Sequence, residues 1–295
     1  MDISAMRLVE RPEGHLELEP RPTPDELAAY YRDKYYGSRD GRTPYAYGYT
    51  PEELEHKWLQ PAEAEHVWGR APGRLLEVGV GEGFTLEYFL KRGWRATGLD
   101  FTDDGVREFH PHLAGALTTG DAFQLLDQAI ADGETYDLII CNNVLEHVID
   151  PMGLLDRLRA IVSPEGLLRI AVPNDGSWLH DEIVARGQGK PEFWLAPPDH
   201  LNYFNTDTLP KALAAHGWEV TEHLGEFPID VFLLNPATNY LQEKSRGRAC
   251  HFTRVAFEMG LWKSRGLEAV VAYRRGCAQA GIGRNQTAYA RPARR

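Results

Sequence analysis

A glycine-rich turn, Gly79-Val80-Gly81-Glu82-Gly83, follows the apolar run Leu75–Val78 and leads into Leu86, Phe89 and Leu90 at helical spacing. Glycines where a strand turns into a helix let the chain bend sharply and let a ligand reach the main chain with no Cβ in the way. Glu77 enters this turn, and two more carboxylates end the next two apolar runs. Asp100 closes Ala96–Leu99, 17 residues after Gly83, with Phe101 next to it, and Asp121 follows Ala116–Thr119. A carboxylate at the first position accepts two hydrogen bonds from a ribose diol, each charge-assisted bond worth about 1.5–3 kcal/mol. At the second it reaches an adenine amino group, with Ala122 and Phe123 beside the ring. A dinucleotide would want GxGxxG and would lay its pyrophosphate on the helix N-terminus. Here the third glycine position is Phe84, and Glu82 occupies the place of the phosphate charge. A zwitterionic, phosphate-free ligand suits these residues better.

Such residues meet only if strands deliver them to one edge. Leu75–Val78, Ala96–Leu99, Ala116–Thr119, Leu138–Cys141 and Leu167–Val172 read as strands, with helical stretches between most of them. After Pro151, Leu154, Leu155, Leu158, Ile161 and Val162 share one helical face. Strands linked this way need right-handed crossovers and a parallel sheet covered on both faces. The expected fold is α/β: a doubly wound, seven-stranded, mostly parallel sheet whose carboxyl edge forms the crevice. A helix capped at Thr206 precedes the sixth strand, Trp218–Leu224; the seventh, Gln286–Ala290, pairs with the sixth as a long-range hairpin. Two helical patterns, one from Phe252 to Met259 and one from Leu267 to Val271, form an insertion between those two strands.

Ahead of the core, residues 6–19 read as a hairpin around Arg11-Pro12-Glu13-Gly14, and capping boxes with Pro at the first helical position start at Thr23 and Thr50. Seven of the 13 tyrosines fall between Tyr30 and Tyr49 (Tyr30, Tyr31, Tyr35, Tyr36, Tyr45, Tyr47, Tyr49). They read either as a helix packing its rings on the body or as a lid over a ligand. The expected units are residues 1–69 (hairpin and tyrosine-rich lid), 70–225 (ligand-binding core), 226–284 (helical insertion or cap) and 285–295 (last strand and tail).

Hydrophobic residues at 43% and charged residues at 25% are ordinary globular values and exclude disorder and fibre. A net charge of −11 disfavours a phosphate backbone as partner. The charge is uneven, however: from Leu241 onward there are 12 basic residues and 3 acidic ones. These bases read either as the solvated faces of two helices or as a pocket gripping phosphate or carboxylate. Cys141, Cys250 and Cys277 make no CxxC or Cys/His metal spacing, a sparse set that suits a reducing compartment. No apolar run approaches the ~18–20 residues that span a bilayer, and residues 1–20 lack the apolar core of a signal peptide, so a soluble, cytoplasmic protein with no membrane partner is expected.

The ordered set LLEVGVGEG, TGLD, TGDA and YDLIICNNVLEHVIDP, followed by GLLRIAVPN, resembles the class I S-adenosylmethionine-dependent methyltransferases over about residues 70–225. The LEH after the fourth strand is similar to that of small-molecule methyltransferases such as ubiquinone-pathway O-methyltransferases. The resemblance implies S-adenosylmethionine as cofactor. Glu77, Gly79, Gly81 and Gly83 would contact its methionine part, Asp100 (with Phe101) its ribose, Asp121 (with Ala122) its adenine, and Asn142 the methionine amino group or its surroundings. Metal-dependent members carry a Glu three residues before the LEH glutamate; here that position is Asn143, and no metal is expected.

A sulfonium methyl is already activated, so the protein's main task is to hold acceptor, methyl and sulfur in line, an effect worth about 7–11 kcal/mol. An alcohol acceptor must also lose its proton, for which a neutral histidine is suited near pH 7. Two candidates compete: His147 after the fourth strand, and His200 in Pro197-Pro198-Asp199-His200-Leu201-Asn202-Tyr203. His200 is favoured as base, with Tyr203 orienting the acceptor. The sequence Asn142-Asn143-Val144-Leu145 is not the [D/N/S]-P-P-Y turn of base amino-methylation, and Cys141 lacks the Pro-Cys context of cytosine methylation, which disfavours nucleic acid and leaves a small molecule. PIDVFLLNPATNY and GIGRNQTAY look like a region appended to methyltransferases of sugar and surface-polysaccharide pathways. A sugar hydroxyl, on a phosphate- or nucleotide-linked sugar if the basic stretch binds anions, is the first expectation. The alternatives are O- or N-methylation of an aromatic or polyketide-like acceptor lined by the tyrosine-rich N-terminus with Trp178, Phe193 and Trp194, an NAD-type oxidoreductase, and an inactive binding protein of the same fold. Oligomeric state is not legible in the sequence.

Overall fold

The computed structural model describes residues 6–27, 29–30 and 48–294. Of the tyrosine-rich stretch, Tyr31, Tyr35, Tyr36, Tyr45 and Tyr47 lie outside the described residues, so its lid or packing role does too.

Seven strands form the main sheet: β3 (Arg74–Val78), β4 (Arg95–Asp100), β5 (Leu117–Thr119), β6 (Tyr136–Asn142), β7 (Val162–Pro173), β9 (Trp218–Gly225) and β10 (Asn285–Pro292). Their order is β5-β4-β3-β6-β7-β10-β9. The pairs β3–β4, β4–β5, β3–β6 and β6–β7 are parallel, whereas β10 runs antiparallel to both β7 and β9. The doubly wound, mostly parallel sheet expected from the strand–helix alternation is therefore present, and so is the long-range pairing of the last two strands. Strand order reverses between β4 and β6, on either side of β3, so the carboxyl ends of β3, β4 and β6 open onto one crevice.

Helices cover both faces. On one, α5 (Ala122–Ala131), α6 (Pro151–Ile161) and α8 (Thr208–Ala215) bury Leu126, Leu154, Leu155, Leu158, Leu209 and Leu213 against Ile139, Leu168 and Ile170. On the other, α2 (Leu59–Trp68), α3 (Phe84–Lys91) and α4 (Asp104–Phe109) pack Ala62, Trp68, Leu86, Phe89 and Val106 on Leu75, Leu138 and Ile140. Each such leucine contributes about 1.5–3 kcal/mol by leaving water.

The insertion contains a 3₁₀ turn, Ile229–Leu234, and the helical stretch α9, Arg246–Gln279. Gly266 interrupts α9 with φ 80° and ψ 176°. In a straight helix Glu258 and Arg274 would be about 24 Å apart. Arg274 instead donates to Glu258, and the rings of Phe257 and Tyr273 lie 5.0 Å apart. The chain thus doubles back at Gly266 into the two helices expected, and the second half lays Val270 and Val271 inside.

The N-terminal hairpin pairs β1 (Arg7–Glu10) with β2 (Leu16–Glu19). A third strand that sequence pattern did not indicate, β8 (Asn202–Tyr203), joins β2 with Leu16 opposite Tyr203. Both capping boxes form: Thr23 with Glu26, and Thr50 with Glu53 ahead of α1 (Pro51–His56). The cap of α8 differs from expectation. Asn205, not Thr206, accepts the backbone N–H groups of Asp207 and Thr208, because its side chain forms an Asx turn one residue earlier. No described helix is long and apolar enough to cross a membrane. The three cysteines are buried free thiols.

Candidate active site

A cavity of about 820 Å³ opens at the carboxyl ends of β3, β4 and β6. Glu77, Gly79, Gly81, Gly83, Asp100, Phe101, Asp121, Ala122 and Asn142, the residues singled out for a cofactor, all line it. The glycine turn needs its glycines. Gly79 has φ 82°, and a Cβ there would stand 2.4 Å from Val144 Cγ2. Asp100 braces the turn, since its Oδ2 accepts the Gly81 N–H at 2.8 Å and its Oδ1 that of Thr102 at 3.2 Å. Burial nevertheless outweighs these donors and raises the Asp100 carboxyl above the usual carboxylate range. Asp121 has a second duty as the N-cap of α5, accepting the Gln124 N–H at 2.9 Å.

Glu77 is buried and its Oε2 has no hydrogen-bond partner among the described residues. Burial, with the charge of Asp100 added, pushes its carboxyl up to about 8 against the Thr85 hydroxyl and the Leu86 N–H. A buried carboxyl with an unsatisfied oxygen on a cavity wall suits a ligand that brings a donor or a positive charge. Glu82, the acid inside the turn, has its charge met from the N-terminal side. Tyr49 donates to its Oε1 at 2.6 Å and Lys57 to its Oε2 at 2.7 Å.

Of the two candidate bases, His147 lines the cavity and His200 does not. The Nδ1 of His147 lies 2.6 Å from the Asp199 carbonyl oxygen. A carbonyl only accepts, so Nδ1 carries the hydrogen and Nε2 is the basic nitrogen. His200 stands behind, its ring edge-on to that of His147 at 4.8 Å. Tyr203 also lies away from the cavity. It is buried, and its hydroxyl donates to the His200 carbonyl at 2.9 Å within its own loop, which leaves it holding the loop rather than facing an acceptor. Asn202 stitches that loop to the LEH turn, donating to the carbonyls of Leu145 and Val148 at 2.9 and 2.7 Å. Trp178 is exposed at 55%, and Phe193 and Trp194 pack on His180, so none of the three lines this cavity.

The expectation that no metal is involved rested on Asn143 in place of a carboxylate. The fold brings His200 to the Glu146–His147 pair instead, and one donor atom of each lies within 4.8 Å of the others, close enough to hold a cation. Strand and loop spacing carried no sign of this. The cavity also takes in residues that sequence reasoning passed over: Lys57 and Gln60 from the N-terminal helices, Val144 and Asp150 after β6, and Pro24 and Leu27. Their sequence distance from the glycine turn hid them, since helical periodicity reports which face is buried and not what it faces.

A family model described as a methyltransferase domain matches residues 49–223. Among curated proteins, the chain is 29% identical over 171 residues to a ubiquinone biosynthesis O-methyltransferase of Actinobacillus pleuropneumoniae serotype 7 (strain AP76), covering 51% of this chain and 73% of that one. It is 32% identical over 133 residues to the protein of that name from Vibrio campbellii, covering 39% and 57%. Among solved structures it resembles a 1,6-didemethyltoxoflavin-N1-methyltransferase of Burkholderia thailandensis, crystallised with S-adenosylhomocysteine (TM-score 0.52, 17% identity, 98% of this chain and 99% of that one). The [4+2]-cyclase SpnF has the same TM-score of 0.52 at 16% identity, over 93% and 98% of the two chains. These structural likenesses show the fold, and the family model sets aside the oxidoreductase alternative. With the glycine turn, the strand-end carboxylates and the LEH turn assembled on one cavity, the chain belongs to the methyltransferase-domain family and is a class I S-adenosylmethionine-dependent methyltransferase.

Proposed function

We propose that this protein methylates a hydroxyl of a small molecule, with His147 as general base. The observation that carries this reading is the single cavity shared by the glycine turn, Asp100, Asp121 and His147, the last with a carbonyl on Nδ1. When bound, S-adenosylmethionine supplies a methyl group already activated by its sulfonium. Asp100 is suited to the ribose diol, Asp121 and Phe123 to the adenine edge, and Glu77 to the positively charged methionyl end. His147 Nε2 takes the hydroxyl proton as the oxygen attacks, and the Asp199 carbonyl stabilises the resulting imidazolium. Apolar walls from Val144, Val148 and Ile149 keep water from competing with the acceptor.

The curated relatives are named O-methyltransferases, which supports a hydroxyl over an amine. Their ubiquinone-pathway name favours an aromatic hydroxyl, whereas the appended C-terminal region favours a sugar. A panel of phenols and nucleotide-linked sugars assayed with labelled methyl donor separates the two. His147→Ala is expected to lower kcat about 10²–10⁴-fold while S-adenosylhomocysteine still binds as in wild type. Unchanged kcat in that variant would overturn the base assignment, and methyl transfer to no acceptor by the wild type would leave a binding protein of this fold.

A further inference from the structure

One end of the cavity is organised by a charge that never touches it. Arg169, on β7, is completely buried. Its Nε donates to the Tyr289 hydroxyl at 3.0 Å, its Nη2 to Glu63 at 3.3 Å, and its Nη1 to the side-chain oxygen of Asn142. A guanidinium has only donors. The amide of Asn142 is therefore held with its oxygen inward and its NH₂ outward. That NH₂ donates to Gln60 Oε1 at 3.2 Å, so the Gln60 amide in turn has its oxygen on Asn142 and its own NH₂ as the remaining polar group. Both residues line the cavity, as does Lys57, whose ammonium donates to Glu82 and Tyr49. This wall therefore offers donors, while the acceptors Glu77 and Asp100 stand at the neighbouring strand ends.

An amino-acid group has two opposite needs: its carboxylate wants donors and its ammonium wants acceptors. An outward NH₂ on Asn142 cannot receive an ammonium, so of the two readings the resemblance left open for this residue, the amino group or its surroundings, the side chain suits the second. We infer that Arg169 is a positioning residue which, through Asn142, orients the Asn142–Gln60 amide pair to receive the α-carboxylate of the cofactor's methionyl part. The inference rests on the reading of this cavity as the S-adenosylmethionine site. It also accounts for a strand arginine buried whole, a costly placement unless its fork is fully used.

The test compares two ligands that differ in the amino-acid part alone: S-adenosylhomocysteine, which has the carboxylate, and 5′-methylthioadenosine, which lacks it. Calorimetric Kd values are measured for wild type and for Gln60→Glu, Asn142→Asp, Arg169→Met and Arg169→Lys. Gln60→Glu and Asn142→Asp turn a donor toward the carboxylate into an acceptor, and each is expected to weaken S-adenosylhomocysteine about tenfold or more. Arg169→Met frees the Asn142 amide to rotate and is expected to do the same, with Arg169→Lys restoring part of the affinity because a lysine also only donates. Methylthioadenosine is expected to bind all of these within about twofold of wild type. Equal loss for both ligands, or no loss for either, in the folded variants would overturn the inference. Gln60→Glu keeps the test decisive if Arg169→Met does not fold, since Gln60 is partly exposed and outside the buried ion cluster. Failure of wild type to bind either ligand would instead remove the cofactor reading on which the inference stands.

Discussion

At Glu77 burial outweighs every hydrogen bond the carboxyl receives, so the ligand-free protein keeps it protonated to about pH 8. A cationic group arriving beside it favours the ionised form, and binding then releases a proton. S-adenosylhomocysteine affinity is accordingly expected to increase as pH rises from about 6 to about 8, by at most roughly tenfold per unit, and to level off above. Glu77→Gln removes the slope; a slope that persists in that variant would place the responsible proton elsewhere. The same residue makes the ligand-free fold less stable as pH climbs. Its unfolded form ionises near 4.5 and its folded form near 8, so the native state holds the extra proton between those values and loses that advantage as pH rises through 8. That Asp100 and Glu77 line the cavity was legible because a parallel strand must deliver its last side chains to the crevice. The choice between His147 and His200 was not legible. It depends on which ring turns toward the cavity and which nitrogen meets the Asp199 carbonyl, and neither follows from position along the chain.

Among the elements, the glycine turn depends on a helix that sequence reading did not attach to it. A Cβ on Gly105, in α4, would stand 2.3 Å from the Gly81 carbonyl oxygen and 3.2 Å from Glu82 Cα, so α4 lies directly against the turn's backbone. Backbone cannot retreat as a flexible side chain can, and overpacking of this kind costs about 1–3 kcal/mol. Gly105→Ala is thus expected to weaken S-adenosylhomocysteine binding about tenfold through a displaced turn, although Gly105 does not line the cavity. Binding by calorimetry, read beside a Gly93→Ala control where a Cβ meets nothing but φ is 82°, separates the clash from the general loss of a glycine. The capping boxes at Thr23 and Thr50 and the apolar face of α6 could be read directly because they are local, set by hydrogen bonds within a turn and by a 3.6-residue period. Strand β8 could not. Its two residues pair with β2 from far along the chain, Tyr203 with Leu16, too short a run to leave a pattern of its own.

Over the whole molecule, the basic C-terminal stretch and the acidic remainder answer each other. Arg275 pairs with Glu222 and Lys263 with Glu55, and His251 shares a hydrogen bond with Glu53 at 2.9 Å. Inside, Arg274 bridges Glu63 of α2 at 2.6 Å and Glu258 of α9, tying the insertion to the sheet through the cluster that also holds Arg169. Arg274 with His56 holds Glu258 down to about 2, and Arg274 with Arg169 lowers Glu63, against a burial cost that acts the other way. Carboxyls depressed in this way stabilise the fold fully above their ordinary 4.5 and lose that contribution as pH falls toward 2. Arg274→Met removes the cation that Glu63 and Glu258 share, leaving Glu63 to Arg169 and Tyr289 and Glu258 to His56, and is expected to cost about 3 kcal/mol in urea unfolding at neutral pH, with acid unfolding beginning at a higher pH than in wild type. A loss under about 1 kcal/mol would show the cluster to be dispensable. By itself the sequence determined the alternation of strands and helices, the glycine turn and the strand-end acids, because these follow from local periods and from the single hand of parallel crossovers. Only the tertiary structure decided which of the two histidines lines the cavity, the outward face of the Asn142 amide and the meeting of Glu146, His147 and His200. Those depend on the directions of side chains brought together from distant segments, and hydrophobic spacing carries no record of direction.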